Sequence, residues 1–264
     1  MKYHQLAAFL ALIASYIALH YYSAAWIARN FSLSPGAART IRIIFLLLAF
    51  FSPFTMFLRQ RYSGPAMEPV YLAAYSWMGI ILLTGFTFLA SDLLSLGLRR
   101  LLSPGGMSWF RYGTAVFLAG IIAVAFYNGM KVPAVKELRL PVPGLPAAME
   151  GLKIAQISDV HIDSRLRLRR FSAIAEAVKA LKPDLVLFTG DLVDPGLTCG
   201  PELSGLVRKI DPRLGTFGVL GNHEYYFGYE KSLACYKECG ITILRNESSD
   251  AAGFRVIGLN DIMT

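Results

Sequence analysis

Apolar residues are distributed differently in the two halves of this 264-residue chain. In the first half they form four long stretches, at about residues 5–27, 40–58, 70–96 and 109–130. Each stretch reaches the roughly 20 residues that a helix needs to cross a bilayer. The pattern therefore predicts a four-helix transmembrane bundle over residues 1–130. The first stretch could instead be a cleaved signal peptide, but its apolar run is long for one, and we favour an uncleaved helix.

In the second half, short apolar segments alternate with amphipathic ones. Residues 131–150 are rich in proline and predict an extended linker with one edge strand at Val135–Leu140. Beyond the linker, the pattern predicts five strands, at Lys153–Ser158, Leu185–Thr189, Thr216–Leu220, Ile241–Leu244 and Arg255–Leu259. It predicts three helices, at about Arg169–Leu181, Pro201–Ile210 and Tyr229–Cys239. This alternation is typical of an α/β domain with a largely parallel sheet, here over residues 151–264.

The net charge of +8 comes almost entirely from the apolar half. Residues 1–130 carry nine basic and two acidic side chains, whereas residues 131–264 carry seventeen and sixteen. Basic residues that flank apolar runs are a membrane pattern, not the clustered basic patch of a nucleic-acid-binding protein. We therefore expect an integral, multi-pass protein of a bacterial plasma membrane that contacts lipids and no nucleic acid. The loop charges are divided evenly between the two sides, so they leave the orientation open.

Cysteine and histidine usage adds further expectations. The three cysteines, an odd and low number, do not indicate a disulfide framework and favour the cytoplasm. Cys235 and Cys239 should share one helix face in the core. His20 lies inside the first apolar stretch, where it either marks a polar pathway or packs between helices near the membrane interface. We favour packing.

Polar clusters follow three of the predicted strands. They are "SDVH" with Asp159 and His161, "GDLVD" with Asp191 and Asp194, and "GNHE" with Asn222, His223 and Glu224. Because ligands gather at the carboxyl ends of strands in open α/β sheets, these side chains should converge. Any one cluster could be a helix cap or a turn, but three in order indicate a site. Their carboxylate, imidazole and amide donors suit Mn²⁺, Fe²⁺ or Zn²⁺.

The series D-x-H, G-D-x-x-D, G-N-H-E resembles that of the calcineurin-like metallophosphoesterases, from about Leu152 to the end of the chain. The apolar helices ahead of it resemble the multi-span members of that family. More distantly, the chain is similar to enzymes that hydrolyse UDP-2,3-diacylglucosamine. The resemblance implies an αββα sandwich and hydrolysis of phosphomonoester, phosphodiester or diphosphate bonds, including those of lipid-linked substrates.

The resemblance also implies two divalent metal ions. Asp159 and His161 would bind the first ion, Asn222 the second, and Asp191 both. A hydroxide that bridges the two ions would attack phosphorus in line with the leaving group.

The remaining motif residues would support this chemistry. His223 would protonate the leaving oxygen or stabilise the transition state, since imidazole titrates near working pH. Asp194 and Glu224 would fix the loops that carry the ligands. Gly190 and Gly221, which precede the polar residues, would allow the sharp turns that such a site needs.

The sequence departs from the family pattern in one respect. The family carries a further histidine and a G-H-x-H motif after G-N-H-E, whereas no histidine follows His223 here. By that pattern, the first metal position lacks one protein ligand and the second lacks two. We therefore expect a partial domain, incomplete at its C-terminus, that binds metal weakly and is poorly active. The alternative is a membrane protein whose phosphoesterase-like domain only binds a partner or anionic head groups.

A basic segment, "SRLRLRR", directly follows the first motif. Its arginines either form a solvated face or bind phosphorylated head groups at the bilayer surface; they are Arg165, Arg167, Arg169 and Arg170. Cations near a helix N-terminus oppose the helix dipole, so an anionic partner would stabilise them there.

Overall fold

The computed structural model describes residues 3–59, 61–62, 64, 66–194, 199–251 and 253–261. The chain divides into two compact units, Met1–Lys131 and Val132–Thr264. Each unit is described by itself below.

The first unit consists of four long helices: α1 (Tyr3–Asn30), α2 (Pro35–Arg59), α3 (Glu68–Leu98) and α4 (Pro104–Met130). All four are long and apolar enough to cross a membrane. The prediction of four apolar helices is confirmed, and each helix extends a few residues beyond its apolar run. Polar and proline residues in the connections mark the ends, as where Ser103 accepts a hydrogen bond from the Gly106 N–H at the start of α4.

Aromatic stacking and polar pairs join the helices of this unit. Trp26 of α1 stacks on Phe88 of α3, with ring centroids 3.8 Å apart. Arg29 of α1 forms a 2.7 Å ion pair with Asp92 of α3. The imidazole of His20 is buried, and its Nδ1 lies 2.8 Å from the Tyr16 carbonyl oxygen. Its ring lies against Phe45 of α2 and Trp77 of α3, so His20 packs between helices, as the sequence favoured.

The second unit alternates strands and helices. Its elements are β1 (Ile154–Ile157), α5 (Arg165–Ala180), β2 (Leu185–Thr189), α6 (Pro201–Arg208), β3 (Thr216–Val219), α7 (Asn222–Phe227), α8 (Tyr229–Glu238), β4 (Thr242–Ile243), β5 (Glu247–Ala251) and β6 (Phe254–Gly258). A single 3₁₀ turn, Ala147–Met149, precedes β1. The four strands β1–β2–β3–β4 form a parallel sheet in that order, which confirms the predicted α/β class.

The two faces of the parallel sheet pack against different layers. In β2, Val186 and Phe188 point into a core that includes residues of α5, α6 and α8, whereas Leu185 points to the opposite face. There it meets Ala251 of the antiparallel hairpin β5–β6. The described residues therefore form a helix layer, a parallel sheet and a second, two-stranded sheet.

Three segments differ from the prediction. Val135–Leu140, expected as an edge strand, is exposed and forms no strand. The short helix α7 and the strand β5 were not predicted. β5 has the sequence "ESSDA", which lacks the apolar alternation that identifies a strand.

Cys235 and Cys239 are both buried in the core, as expected, but Cys199 and Cys235 form a disulfide that was not expected, with a Cα–Cα distance of 5.5 Å. That distance lies within the usual range for disulfides. Cys239 is free and buried, and burial raises the pKa of its thiol to about 12. Since disulfides persist mainly in oxidising compartments, the pair weighs against the cytoplasmic placement that the cysteine count favoured.

At the edge of the sheet where the strands begin, Asp184 links two chain segments. Its carboxylate accepts hydrogen bonds from the Lys153 N–H at 2.8 Å and from Arg213 Nε at 2.5 Å. These two bonds, the backbone one first, hold the pKa of Asp184 below its usual range. The carboxylate therefore stabilises the fold fully above the ordinary pKa of Asp, near 4, and loses that effect as pH falls through the lower folded value.

We expect Asp184→Asn to lower the free energy of unfolding by about 1 kcal/mol at pH 7. The difference from wild type should shrink below about pH 4, where the wild-type carboxylate also becomes protonated. Thermal unfolding of the full chain in detergent at several pH values measures this. Asp211→Asn, at an exposed position of the α6–β3 connection, is the matched control. A deficit that grows on acidification would contradict the account.

Candidate metal centre

The three polar clusters lie together at the carboxyl edge of the parallel sheet. Strands β1, β2 and β3 run side by side in the same direction, so the segments that follow them leave from one edge. The pairing of the first two continues beyond the strands. The His161 N–H donates to the Asp191 carbonyl at 2.9 Å, and the Asp194 N–H donates to the Ile162 carbonyl at 3.0 Å. This ladder fixes the first two clusters against each other.

The ligand-bearing residues have an unusual backbone conformation. Asp159, His161 and Asp191 have φ angles of 55°, 52° and 55°. Such left-handed values are uncommon for residues other than glycine and cost of order 1 kcal/mol or more each. They turn the side chains toward one another at the ends of the strands.

Two glycines allow β2 and β3 to approach closely at this edge. Gly190 has a φ of 94°, and a Cβ there would lie 2.8 Å from the Gly221 nitrogen. A Cβ on Gly221 would overlap the Asp191 carboxylate. Neither position tolerates a side chain, which agrees with the role expected for these glycines.

Three donor atoms face a common point. The Nε2 atom of His161 lies 3.9 Å from Asp159 Oδ1 and 3.7 Å from Asp191 Oδ2. These separations are too long for hydrogen bonds, but donor atoms that share one ion at about 2.0–2.2 Å lie roughly 3 to 4 Å apart. The side chain of Asp159 is 70% exposed, whereas that of Asp191 is 13% exposed. The set is therefore open to solvent on one side and fits a divalent ion.

Asp194 holds both imidazoles from the other side. Its Oδ1 lies 3.4 Å from His161 Nδ1 and forms a short contact with His223 Nδ1. The two rings meet edge to face, with centroids 4.4 Å apart. His161, Asp194 and His223 could by themselves hold an ion. Because His161 turns its other nitrogen toward Asp159 and Asp191, hydrogen bonding by Asp194 is the simpler account.

Glu224 binds the backbone of both loops. It is fully buried, and its carboxylate accepts hydrogen bonds from the N–H groups of Asp191, Leu192, Val193 and Gly221, at 2.8–3.1 Å. The bond from Gly221 caps α7, the helix on which Glu224 itself lies. Burial, followed by the nearby charge of Glu224, raises the pKa of Tyr236 well above its usual value, so that hydroxyl stays neutral.

Comparison with known proteins gives the family of this second unit. Residues 152–259 match the family model for calcineurin-like phosphoesterases. These residues form a calcineurin-like phosphoesterase domain. No solved structure matches the chain.

Three relatives illustrate the similarity. An uncharacterized metallophosphoesterase of Aquifex aeolicus is 34% identical over 48% of this chain and 49% of its own length. One of Helicobacter pylori strain J99 is 32% identical over 67% of this chain and 46% of its own. A "transmembrane protein with metallophosphoesterase domain" of Danio rerio is 30% identical over 42% of this chain and 26% of its own. The chain thus spans about half the length, or less, of these relatives.

The phosphoesterase domain brings together most of the residues singled out in the sequence. His161 lies against Asp159, Asp191, Asp194 and His223. Asn222 begins α7 directly after Gly221, and Glu224 lies beneath the loops, as described above.

The basic segment lies in the first two turns of α5 and is partly neutralised. Arg167 forms an ion pair with Asp163 at 3.3 Å, and Ser164 caps the helix. Asp163 therefore stabilises the first turn of α5 through this ion pair. Arg165, Arg167 and Arg169 are exposed, whereas Arg170 is half-buried.

Sequence reasoning missed one aromatic residue at the site. The ring of Tyr226 meets that of His223 edge to face at 5.5 Å, and 70% of Tyr226 is exposed. The signal was its position, three residues after His223 on what proves to be a helix, where i and i+3 side chains are neighbours.

Replacing Glu224 tests whether its carboxylate holds the site together. Glu224→Gln turns an amide N–H₂ toward backbone donors, so at least one buried N–H loses its acceptor. We expect the free energy of unfolding of the phosphoesterase domain to fall by about 2–4 kcal/mol, measured by thermal unfolding of the full chain in detergent. Glu230→Gln, at an exposed position of α8, should change it by less than about 0.5 kcal/mol. Equal stabilities of the two variants would show that the buried carboxylate is dispensable.

Proposed function

We propose that this chain is a membrane-anchored, metal-dependent phosphoesterase. The observation that carries the proposal is the convergence of His161 Nε2 on the carboxylates of Asp159 and Asp191, beside an imidazole held by Asp194. The four apolar helices, together with relatives named as transmembrane proteins, support attachment to a membrane through several spans.

Two divalent ions, as Mn²⁺, Fe²⁺ or Zn²⁺, would occupy the site. Asp159 and His161 would hold the first, Asn222 the second, and Asp191 both. When bound, such ions lower the pKa of a water nucleophile and neutralise phosphoryl charge. Within the described part of the chain, the two positions have three and two protein donors, so we expect binding to be weak.

His223 would act on the leaving group. Asp194 engages its Nδ1, which leaves Nε2 directed away from the carboxylate. A proton on Nε2 would pass to the leaving oxygen as the bond to phosphorus breaks, while Asp194 would keep the ring oriented through Nδ1. Because 35% of the His223 side chain is exposed, it can reach a substrate.

The charge and the position of the α5 arginines indicate the substrate class. The exposed arginines of α5 begin four residues after His161, close in sequence to the first pair of ligands. Arginine binds phosphate through paired N–H donors, so Arg165, Arg167 and Arg169 are suited to a phosphorylated head group. Phosphomonoesters, phosphodiesters and diphosphates all carry such a group. Attachment of the protein to a bilayer favours lipid-linked substrates over soluble ones.

Mn²⁺-dependent hydrolysis of bis(p-nitrophenyl) phosphate by the full chain in detergent tests the proposal. We expect Asp191→Asn to lower the rate at least about 100-fold, because both proposed metal positions would use that carboxylate. His223→Ala should lower it by about 10²–10⁴-fold. Asp211→Asn, at the opposite edge of the sheet, should leave it unchanged.

Two results would contradict catalysis at this site. Equal rates for wild type and Asp191→Asn would place hydrolysis elsewhere. No Mn²⁺-dependent hydrolysis by wild type would favour the second candidate, a domain that binds a partner or anionic head groups without turning them over. The small number of metal donors in the described residues is the observation that favours this second candidate.

A further inference from the structure

A groove of about 210 Å³ lies between α1 and α2 in the first unit. Its α2 wall is one helical stripe at i, i+3, i+4 and i+7: Arg39, Arg42, Ile43 and Leu46. Most of these side chains are exposed on the outer surface of the bundle, so the groove opens outward. Its volume is below that of pockets that enclose a whole drug-sized ligand, which suits a small group and part of a chain.

Within the part of the chain that the structure describes, the two arginines of this groove have no protein counter-charge. Among the described residues, neither guanidinium forms a hydrogen bond or an ion pair, whereas Arg29 pairs with Asp92. Residues 1–59 contain no aspartate or glutamate. Two like charges three residues apart repel each other, and cations in the first turns of a helix oppose its dipole. An anion between Arg39 and Arg42 would relieve both effects.

The rest of the groove is mostly apolar and is lined by Ile17, His20, Tyr21, Ile43 and Leu46. His20 forms part of the α1 wall, and both of its ring nitrogens are engaged. Nδ1 lies 2.8 Å from the Tyr16 carbonyl oxygen, and Nε2 accepts from Trp77 Nε1 at 3.0 Å. With Nε2 accepting, the imidazole is neutral and offers no donor to a ligand. Ile17 and Leu46 line the groove beside it.

The order of side chains along α2 matches a phospholipid. From Arg39 to Leu46 the axial rise is about 10 Å, and the lining changes from cationic near the helix end to apolar toward its middle. A phospholipid changes in the same direction, from phosphate at the membrane surface to acyl chain in the interior. Basic pockets between membrane helices are suited to anionic head groups.

We propose that the α1–α2 groove binds one anionic phospholipid, with its phosphate between Arg39 and Arg42 and an acyl chain along Ile17, Ile43 and Leu46. The residues of this site belong to the first unit, whereas those of the metal centre belong to the second. It rests on the proposed placement of these helices in a bilayer and not on hydrolysis.

The test is native mass spectrometry of the full chain released from a mild detergent, with palmitoyl-oleoyl phosphatidylglycerol or the phosphatidylcholine of the same chains as probe. We expect one phosphatidylglycerol to bind about tenfold or more tightly than phosphatidylcholine. Arg39→Gln/Arg42→Gln should weaken phosphatidylglycerol binding by about 10- to 30-fold. Arg99→Gln/Arg100→Gln removes the same charge in the α3–α4 connection, outside the groove, and should change binding less than about twofold.

A second variant tests the apolar part without altering charge. Leu46→Trp fills the groove and should weaken binding of both lipids, while thermal unfolding of each variant shows that the bundle is intact. Equal losses in the two arginine pairs would overturn the proposal, because the effect would then be one of net charge. Displacement of the lipid by glycerol phosphate at equal concentration would overturn the role of the acyl chain.

Three further outcomes would overturn the proposed lipid site, and they differ in what else they would overturn. Release of the chain from membranes by alkaline carbonate would overturn the bilayer placement and the lipid site together. Retention in the membrane, with no difference between phosphatidylglycerol and phosphatidylcholine, would overturn the lipid site alone. A groove that is covered by a second copy of the chain would show as a dimer that Leu46→Trp dissociates, and this too would overturn it.

Discussion

The buried carboxylate of Glu224 is the interaction on which the candidate metal centre depends. It accepts four backbone N–H groups, three from the loop after β2 and one from the turn after β3. A buried charge is tolerated only when it is fully hydrogen-bonded. The four N–H groups lie beyond the paired strands, and the Glu224 carboxylate supplies the acceptors that strand pairing would otherwise provide. One side chain thereby sets the positions of Asp191 and of the helix that carries His223.

The positions of the other site residues depend on these Glu224 hydrogen bonds and on the parallel sheet. Asp159, His161 and Asp191 have left-handed backbone conformations, which persist only where the surroundings hold them. The ladder of hydrogen bonds beyond β1 and β2 holds the first two, and Glu224 holds the third. Gly221 is small enough to let β3 approach the Asp191 carboxylate. The strain is concentrated where donor atoms must converge.

The sequence predicted what depends on local pattern and missed what depends on distant partners. Leu185–Thr189 was predicted with both ends, because an apolar run stands between a Pro-Asp pair and a glycine. Asn222–Phe227 is too short to show helical periodicity, and the Cys199–Cys235 pair joins residues 36 positions apart. Val135–Leu140 is apolar at three of its six positions, but a strand also needs a neighbouring edge to pair with, which the local sequence does not reveal. The motif residues were found, whereas the link from Asp194 to both imidazoles required the structure.

The central claim is that Asp159, His161 and Asp191 bind a divalent ion. Electron paramagnetic resonance of free Mn²⁺ during titration with the full chain measures this directly, without any substrate. We expect wild type and Asp211→Asn to deplete the free Mn²⁺ signal equally, and Asp159→Asn to bind at least about tenfold more weakly, since it loses a charged ligand. Equal depletion by Asp159→Asn and wild type would contradict the claim.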